Sequence, residues 1–338
     1  ATYSYWNGTT FSPLGSVVGG SGIWTADQAS SNWANETGTS SSAWPDARVA
    51  VFSATDTATA TVQIDSSAGD IITSGMTFDV DGYTLTGLSG SDVIKLYDAT
   101  AAATTTITVA STATAIIDVE LAGDVTLNKA GDGTLILSQT NTYTGGSSIN
   151  GGTLQVGAGG TEGAISGDVA IASGSLVFKR SDDISFAGAI TGSGILAQSG
   201  SGKLTLSVDN TAFAGSTSVN AGSLDVAIGL GGNVSVAGGA SLSGANATVG
   251  GNVTLQDGAT LYGDQRNQIT IGGDLSLAAY TSSTSGAVLS IVADAAPSTT
   301  AGIAVGNDLS LGGTLNVTGT LTDGTYTMIS YGGAALAA

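Results

Sequence analysis

A thirty-residue stretch decides the fold of this chain: Leu127-Asn-Lys-Ala-Gly-Asp-Gly-Thr-Leu-Ile-Leu-Ser-Gln-Thr-Asn-Thr-Tyr-Thr-Gly-Gly-Ser-Ser-Ile-Asn-Gly-Gly-Thr-Leu-Gln-Val156. A second version of it runs from Leu196 to Val226. Several positions return 69 residues later, with Gly131, Gly133, Leu135 and Leu137 matched by Gly200, Gly202, Leu204 and Leu206. Short apolar strands joined by Gly and Asn turns, repeated along a chain, are typical of a solenoid.

Weaker copies extend the pattern towards residue 331. The template Gly-(Asp/Asn)-apolar-x-apolar starts at residues 123, 167, 232, 251 and 273, and a related segment starts at 307. Val234, Val253, Leu275 and Leu309 of this template are separated by 19, 22 and 34 residues. About 20 residues suffice for one coil of a solenoid. The longest spacing predicts a protrusion within 280–301, at Tyr280–Gly286 or Ala293–Ala301.

Alternation of apolar and polar residues explains how such coils stack. Every second side chain of a strand points inward, so the apolar rows of successive coils pack on one another, while Ser, Thr and Asn face water. Upstream of the strong repeats, the same alternation predicts seven strands, and Asp81-Gly82 is a dipeptide typical of hairpin turns. The predicted strands are 48–52, 58–64, 75–80, 83–87, 93–97, 106–109 and 115–121.

The first fifty residues differ from the remainder. All four tryptophans of the chain lie there, namely Trp6, Trp24, Trp33 and Trp44. Large aromatic rings bury much apolar area each, so we predict that residues 1–50 form an aromatic-rich cap on a β-helix that spans 51–338. A platform on which sugar rings stack, or another host-binding surface, is the alternative.

Composition excludes several classes of function. Seven Lys and Arg stand against 26 Asp and Glu, which gives a net charge of −19 over 338 residues. Nucleic acids and anionic lipids select basic surfaces, so neither is an expected partner. The chain has no Cys and no His, which removes thiol nucleophiles, Ser-His-Asp triads and imidazole metal ligands. It also lacks the run of about 18 apolar residues of a transmembrane helix.

The remaining charged clusters are weak candidates for chemistry. Lys179-Arg180 with Asp182-Asp183 is the densest cluster, and we interpret it as a solvated turn rather than a catalytic patch. Asp79-Val-Asp81-Gly82 has carboxylates beside a Gly turn but lacks the later acidic ligands of a calcium loop. The other acidic residues, such as Asp124, Asp168 and Asp274, stand at strand starts. We therefore assign no catalytic, cofactor or metal residues, and the binding residues stay unassigned.

Lys129 to Gly157 resembles the autotransporter-associated β-strand repeat of type V secreted passenger domains at most positions. That repeat reads roughly Lys-x-Gly-x-Gly-Thr-Leu-x-Leu-Ser-Gly-x-Asn-Thr-Tyr-Thr-Gly-x-Thr-x-Ile-x-x-Gly-Thr-Leu-x-Val-Gly. The segments 75–87 and 50–52 and the spaced tryptophans are similar to what precedes the repeat in that family. The resemblance implies a right-handed parallel β-helix, secreted through an outer-membrane barrel of a Gram-negative cell and displayed or released. We expect a passenger segment, with the translocator barrel outside this chain.

This resemblance favours a non-enzymatic surface protein. An adhesin or self-association factor would contact host cell surfaces, matrix components or a second copy of itself through many weak polar contacts. A secreted effector that binds a host receptor through a single loop within 280–301 is the first alternative. A carbohydrate-active β-helix enzyme is the second, and it requires carboxylates and basic residues gathered in one groove.

Overall fold

The computed structural model describes residues 2–8, 16–27, 31–54, 59–99, 103–278, 286–296, 298–319 and 321–333. Throughout these ranges the regular structure is β, and no helix occurs. The chain divides into two compact units, Ala1–Leu176 and Val177–Ala338.

Unit 1 holds the first seventeen strands. They are β1 Tyr3–Trp6, β2 Gly22–Thr25, β3 Trp33–Ala34, β4 Ser41–Ser42, β5 Arg48–Phe52, β6 Ala60–Asp65, β7 Ile71–Phe78, β8 Tyr83–Gly87, β9 Val93–Leu96, β10 Thr104–Val109, β11 Thr114–Asp118, β12 Glu120–Ala122, β13 Thr126–Ala130, β14 Thr134–Leu137, β15 Ser147–Ile149, β16 Thr153–Val156 and β17 Val169–Ile171. The strand β18, Ser175–Phe178, contains the boundary between the units.

Unit 2 holds the strands that follow. They are β19 Ile184–Phe186, β20 Ile190–Gly192, β21 Ile195–Gln198, β22 Lys203–Leu206, β23 Asp209–Asn210, β24 Ser216–Val219, β25 Ser223–Val226, β26 Gly229–Leu230, β27 Val234–Val236, β28 Ser241–Ser243, β29 Thr248–Val249, β30 Val253–Leu255, β31 Thr260–Asp264, β32 Ile269–Ile271, β33 Leu275–Leu277, β34 Val288–Val292, β35 Ile303–Val305, β36 Leu309–Ser310, β37 Thr314–Thr318 and β38 Ile329–Tyr331.

Within unit 1, successive coils add strands to parallel sheets. One sheet runs in the order β17-β15-β13-β10-β7-β5-β1, and another runs β2-β6-β8-β11-β14-β16. Equivalent residues of successive coils lie side by side, as Leu135 does with Leu154. Antiparallel pairing occurs at β1–β3 and β3–β4, beside the first coil. This arrangement is the parallel β-solenoid that the repeats predicted.

Unit 2 has three parallel sheets. Their orders are β21-β24-β27-β30-β33-β36, β19-β22-β25-β28-β31-β34-β37 and β23-β26-β29-β32-β35-β38. Val234 pairs with Val253, Val253 with Leu275, and Leu275 with Leu309. The template spacing in the sequence therefore gives the register of the coils. The segment between Leu275 and Leu309 contains β34 and β35, and residues 280–285 and 297 of the expected protrusion lie outside the described residues.

Inward rows form the core of each unit. Leu135 and Leu154 in unit 1, and Val253 and Leu275 in unit 2, have no exposed surface, whereas the neighbours of each along the strand are partly exposed. The core is thus a stack of aliphatic rows, each packed on the row of the adjacent coil. The right-handed sense of the coil stays a prediction.

Two local predictions for the region before the strong repeats were wrong. Asp81-Gly82 does not make a hairpin, because β7 and β8 belong to different sheets. It turns a corner of the solenoid: Gly82 has a φ of +89°, and Asp81 Oδ1 accepts a hydrogen bond of 2.7 Å from the Thr114 backbone N–H in the next coil. The segment 115–121 is two strands, since the chain bends at Val119 and β12 pairs with β9 in another sheet.

Candidate functional site

The polar residues of the strong repeats serve the fold. Asn141 is 4% exposed. Its Oδ1 accepts a hydrogen bond from the Leu121 backbone N–H at 3.0 Å, and its Nδ2 donates to the carbonyls of Gln139 and Ala164 at 2.8 and 2.9 Å. Asn210 repeats this arrangement in unit 2, accepting from the Ile190 N–H at 2.7 Å. A buried amide with all these partners joins neighbouring coils and is closed to a ligand.

Lys129, the first residue of the family pattern, is also buried, with no exposed surface. Its Nζ donates to the backbone carbonyls of Ala130, Gly131 and Gly151 at 2.8, 2.7 and 3.1 Å. Burial, partly offset by the charge of Asp132, lowers the pKa of Lys129 to about 8. The ammonium group therefore holds a glycine turn of its own coil against the next coil.

Gln198 occupies the equivalent position in the second repeat. It is 3% exposed, and its Nε2 donates to the carbonyls of Gly200 and Gly202 at 3.1 and 2.8 Å. Two different side chains thus perform one task, which is to donate hydrogen bonds to a buried glycine turn.

At a third pair of positions, the second repeat lacks a hydrogen bond that the first repeat has. In the first repeat, the hydroxyl of buried Tyr143 lies 2.8 Å from Ser147 Oγ. The second repeat has Phe213 and Thr217 instead, and the Thr217 Oγ1 is buried with no hydrogen-bond partner in the described part of the chain. An unpaired buried hydroxyl costs about 1–3 kcal/mol.

We expect Phe213→Tyr to stabilise unit 2 by about 1 kcal/mol, because the new hydroxyl would give Thr217 the partner that Ser147 has. Urea unfolding of the wild type and the variant would measure the difference. Thr217→Val is the matched control, since it removes the orphan hydroxyl, and adding Phe213→Tyr to it should destabilise. If Phe213→Tyr destabilises the wild type as much as it destabilises Thr217→Val, the explanation is contradicted.

The four tryptophans are closed to ligands. Trp6, Trp24, Trp33 and Trp44 are each at most 1% exposed and contact one another with ring centroids 4.5–5.2 Å apart. We call them the tryptophan cluster. Phe52 adjoins the cluster and stacks on Phe78 at 4.7 Å with nearly parallel rings. Sugar stacking requires an exposed ring face, so the cluster fits the cap interpretation.

The dense charge cluster is a turn, as the sequence indicated. Arg180 donates to both carboxylate oxygens of Asp182, at 2.9 and 2.7 Å. This pairing lowers the pKa of Asp182. The Asp183 Oδ1 accepts the backbone N–H of Lys203 at 2.9 Å. Arg180, Asp182 and Asp183 thus form hydrogen bonds within the turn and to the neighbouring coil.

One of the two carboxylates beside the Gly82 turn is used by the fold. Asp81 accepts the backbone N–H of Thr114, and partial burial raises the pKa of Asp79. Among the residues that the structure describes, no group of three or more His, Cys, Asp or Glu side chains could hold a metal ion.

Acidic and amide residues at the strand starts of unit 2 form a ladder. The Oδ1 of Asn233 accepts the backbone N–H of Asn252, the Oδ1 of Asn252 accepts that of Asp274, and the Oδ1 of Asp274 accepts that of Asp308, at 2.9, 2.9 and 3.1 Å. We call this the corner ladder. Its side chains fix each coil on the preceding one, so they are structural.

Unit 1 has a concave surface that the repeat pattern does not explain. It is a polar cleft of about 420 Å³ at the ends of β8, β11 and β14, lined by 86–90 with Asp92, by 118–120 and by 139–140. The cleft exists because successive coils turn this corner with loops of unequal length. Only Val119 separates β11 from β12, whereas 88–92 follows β8 and 138–146 follows β14. The short turn is the floor and the longer loops are the walls.

Side chains on the floor are held in place by hydrogen bonds. The Oδ1 of Asp118 accepts from Ser138 Oγ at 2.9 Å and from Gln139 Nε2 at 3.0 Å, and its Oδ2 has a longer contact of 3.4 Å with Thr86 Oγ1. Glu120 accepts from the Thr142 hydroxyl at 2.5 Å. The floor therefore presents carboxylate oxygens in a fixed arrangement.

The wall formed by loop 88–92 is anchored by a buried carboxylate. Asp92 is 6% exposed and accepts four hydrogen bonds, from the backbone and hydroxyl groups of Ser66 and Ser89, at 2.5–3.0 Å. Burial alone would raise the pKa of Asp92, but these hydrogen bonds outweigh it and lower the pKa. Leu88 stands on this wall and is 51% exposed.

Sequence reasoning did not find this cleft. Thr86, Asp118 and Gln139 belong to three different coils, and they become neighbours only through the parallel register, in which Thr86 pairs with Asp118. The available signal was the uneven spacing between strands 83–87, 115–121 and the first strong repeat. No helix in the described part of the chain has the length and apolar character needed to cross a membrane.

Comparison with known proteins concerns the repeats and the chain as a whole. The passenger-associated-transport-repeat matches residues 127–156 and 196–226. The adhesin BmaC autotransporter of Brucella suis biovar 1 (strain 1330) is 35% identical over 254 residues, which is 66% of this chain and 7% of that protein. The chain thus spans a small part of the length of this relative. No solved structure matches the chain significantly.

Proposed function

We propose, from the premise that this chain belongs to the autotransporter passenger domains that carry the passenger-associated-transport-repeat, that it acts as a non-enzymatic adhesin or self-association factor. The repeat and the relative place it on the surface of a Gram-negative bacterium or among its secreted proteins. The relative is named an adhesin, and this observation carries the proposal.

The surface of the solenoid supports a binding role. Outward positions of unit 2 align hydroxyl side chains from coil to coil, in the column Ser218, Ser235, Thr254, Ser276 and Ser310. Neighbouring strands of a sheet lie about 4.8 Å apart, so such a column offers closely spaced polar groups. Many weak contacts of this kind can add up to firm attachment between surfaces that carry many copies.

The pairing of basic side chains in the described part of the chain supports the non-enzymatic part of the proposal. A carbohydrate-active groove would need carboxylates whose pKa values differ, together with basic residues, around one sugar. Three basic side chains are paired with single carboxylates in turns or on the surface, as in Lys95–Asp70, Arg180–Asp182 and Arg266–Asp294. Lys129 is buried against backbone carbonyls. The proposed partners are host cell-surface or matrix components, or a second copy of the chain.

Surface display tests the proposal. Residues 1–338 would be displayed on a non-adherent Gram-negative strain through a generic translocator barrel, with the empty barrel as control. Cell–cell clumping and binding to cultured epithelial and endothelial cells would be scored together. We expect the displaying cells either to clump or to bind the cultured cells, and we expect soluble passenger to compete with this attachment. Cells that neither clump nor adhere, although the passenger is exposed and folded, would overturn it.

A further inference from the structure

We propose that the polar cleft of unit 1 binds a neutral, hydroxyl-rich glycan. This inference rests on the proposed adhesin function and gives that function a ligand class. The repeat residues Lys129, Asn141 and Tyr143 are all buried in the coil stack, so a ligand must be recognised by other side chains. The cleft is a concave surface built from side chains of three coils, and its volume of about 420 Å³ lies within the range of small-ligand sites.

The floor of the cleft offers acceptors in a fixed arrangement. Two neutral donors from the next coil, Ser138 and Gln139, bind one oxygen of Asp118 and leave the other with only the long Thr86 contact among the described residues. Glu120 is held through one oxygen by Thr142. Acceptors that are already ordered lose little further freedom when a ligand binds, so more of the interaction appears as affinity.

A sugar matches this set of groups. Adjacent hydroxyls on a pyranose ring donate to carboxylate and amide oxygens and accept from hydroxyls, which Thr86 and Thr140 supply at the cleft. Hydrogen bonds to charged acceptors contribute about 1.5–3 kcal/mol each. The exposed Leu88 side chain on the wall can pack against the C–H face of the ring.

Charge selects among ligands. Asp118 and Glu120 stand on the floor and no Lys or Arg among the described residues lines the cleft. A sialylated or sulfated glycan would therefore meet like charge on a chain of net charge −19. A basic peptide would be attracted to every acidic surface of the chain and would not need ordered acceptors in a cleft. The geometry therefore favours a neutral polyol.

The experiment uses folded protein of residues 1–338 on immobilised probes. These are neutral oligosaccharides of hexoses, deoxyhexoses and N-acetylhexosamines, their sialylated and sulfated counterparts, and an oligoarginine peptide. We expect retention on at least one neutral oligosaccharide, and about a tenfold or greater loss of affinity for Asp118→Ala combined with Gln139→Ala. Asp225→Ala is the matched control, because Asp225 is a half-buried strand residue whose carboxylate also accepts a hydroxyl, from Ser243 at 2.7 Å, but lies outside the cleft.

A second variant guards against misfolding. Thr140→Trp places bulk at an exposed wall position and should block the cleft without loss of buried hydrogen bonds. Three results would overturn the proposal. The protein could be retained on the peptide or the anionic glycans in place of the neutral ones, its binding to neutral glycans could survive both variants, or it could be retained on no glycan. Displayed cells that adhere equally with and without the cleft substitutions would show that the adhesin function stands and the cleft assignment fails. Cells that never adhere or clump would show failure of the function itself.

Discussion

Trp33→Ala is expected to lower the free energy of unfolding of unit 1 by about 3–5 kcal/mol, the usual cost of removing a large buried aromatic side chain. Trp33 is 1% exposed, and its ring centroid lies 5.2, 4.8 and 4.5 Å from those of Trp6, Trp24 and Trp44. Its removal opens a cavity at the centre of the tryptophan cluster. Urea unfolding followed by near-ultraviolet circular dichroism, which reports the coupled indole rings, would measure the loss.

Two control variants separate packing from surface effects. Trp33→Phe keeps an aromatic ring and should cost clearly less than the alanine variant. Ile23→Ala lies in β2 beside Trp24 but is 37% exposed, so its effect should stay within about 1 kcal/mol. Equal unfolding midpoints for Trp33→Ala and the wild type would mean that the cluster does not stabilise the coils that follow it.

Lys129→Met is expected to cost about 3 kcal/mol at pH 7. Methionine retains most of the buried volume, but the carbonyls of Ala130, Gly131 and Gly151 lose their donor, and unpaired buried acceptors cost about 1–3 kcal/mol each. Chemical unfolding of unit 1 would measure the loss. The matched control is Lys129→Gln, which copies Gln198 of the second repeat and should remain within about 1 kcal/mol of the wild type. A Gln variant as unstable as the Met variant would contradict the equivalence of the two turns.

The same lysine should give the stability a dependence on pH. Its pKa is about 8 in the folded chain, below the ordinary value of 10.5. Between these values the unfolded state binds more protons than the folded state, so the free energy of unfolding rises as the pH increases from about 8 to about 10.5. The Lys129 contribution is fully present above 10.5 and is lost as the pH falls through 8.

The rise should amount to about 2–3 kcal/mol. Because tyrosines and other lysines also titrate in this range, the quantity to measure is the difference between the wild type and Lys129→Gln at each pH. A difference that stays constant from pH 7 to pH 10.5 would show that burial does not perturb Lys129.

Much of the fold follows from the sequence because a solenoid repeats one local rule. Val234, Val253, Leu275 and Leu309 could be aligned by their spacing, and each pairs with the next in the structure. The rule fails at corners. Asp81-Gly82 has hairpin chemistry, yet the parallel stack brings the Thr114 backbone, rather than a hairpin partner, to its carboxylate.

The candidate site was less accessible to sequence reasoning. Repetition in the sequence marks residues that the stack needs, so it drew attention to Lys129 and Asn141, which are buried. A cleft arises where repetition is broken, and its members Thr86, Asp118 and Gln139 are separated by 32 and 21 residues. The residues next to each of the three in the sequence form no motif that would mark a binding site. Only the register and the unequal loop lengths bring them together.

The corner ladder also bears on how such a chain can change its length during evolution. Each step joins the side chain of one coil to the backbone of the next, from Asn233 to Asn252 and on to Asp274, so Asn252 donates to the preceding coil and accepts from the following one. Duplication or deletion of one whole coil would rejoin an Asn or Asp acceptor to a backbone N–H and leave no group orphaned. A deletion of part of a coil would take the apolar rows of neighbouring coils out of register and interrupt the ladder. Genes for this kind of protein should therefore lengthen and shorten in whole-coil units.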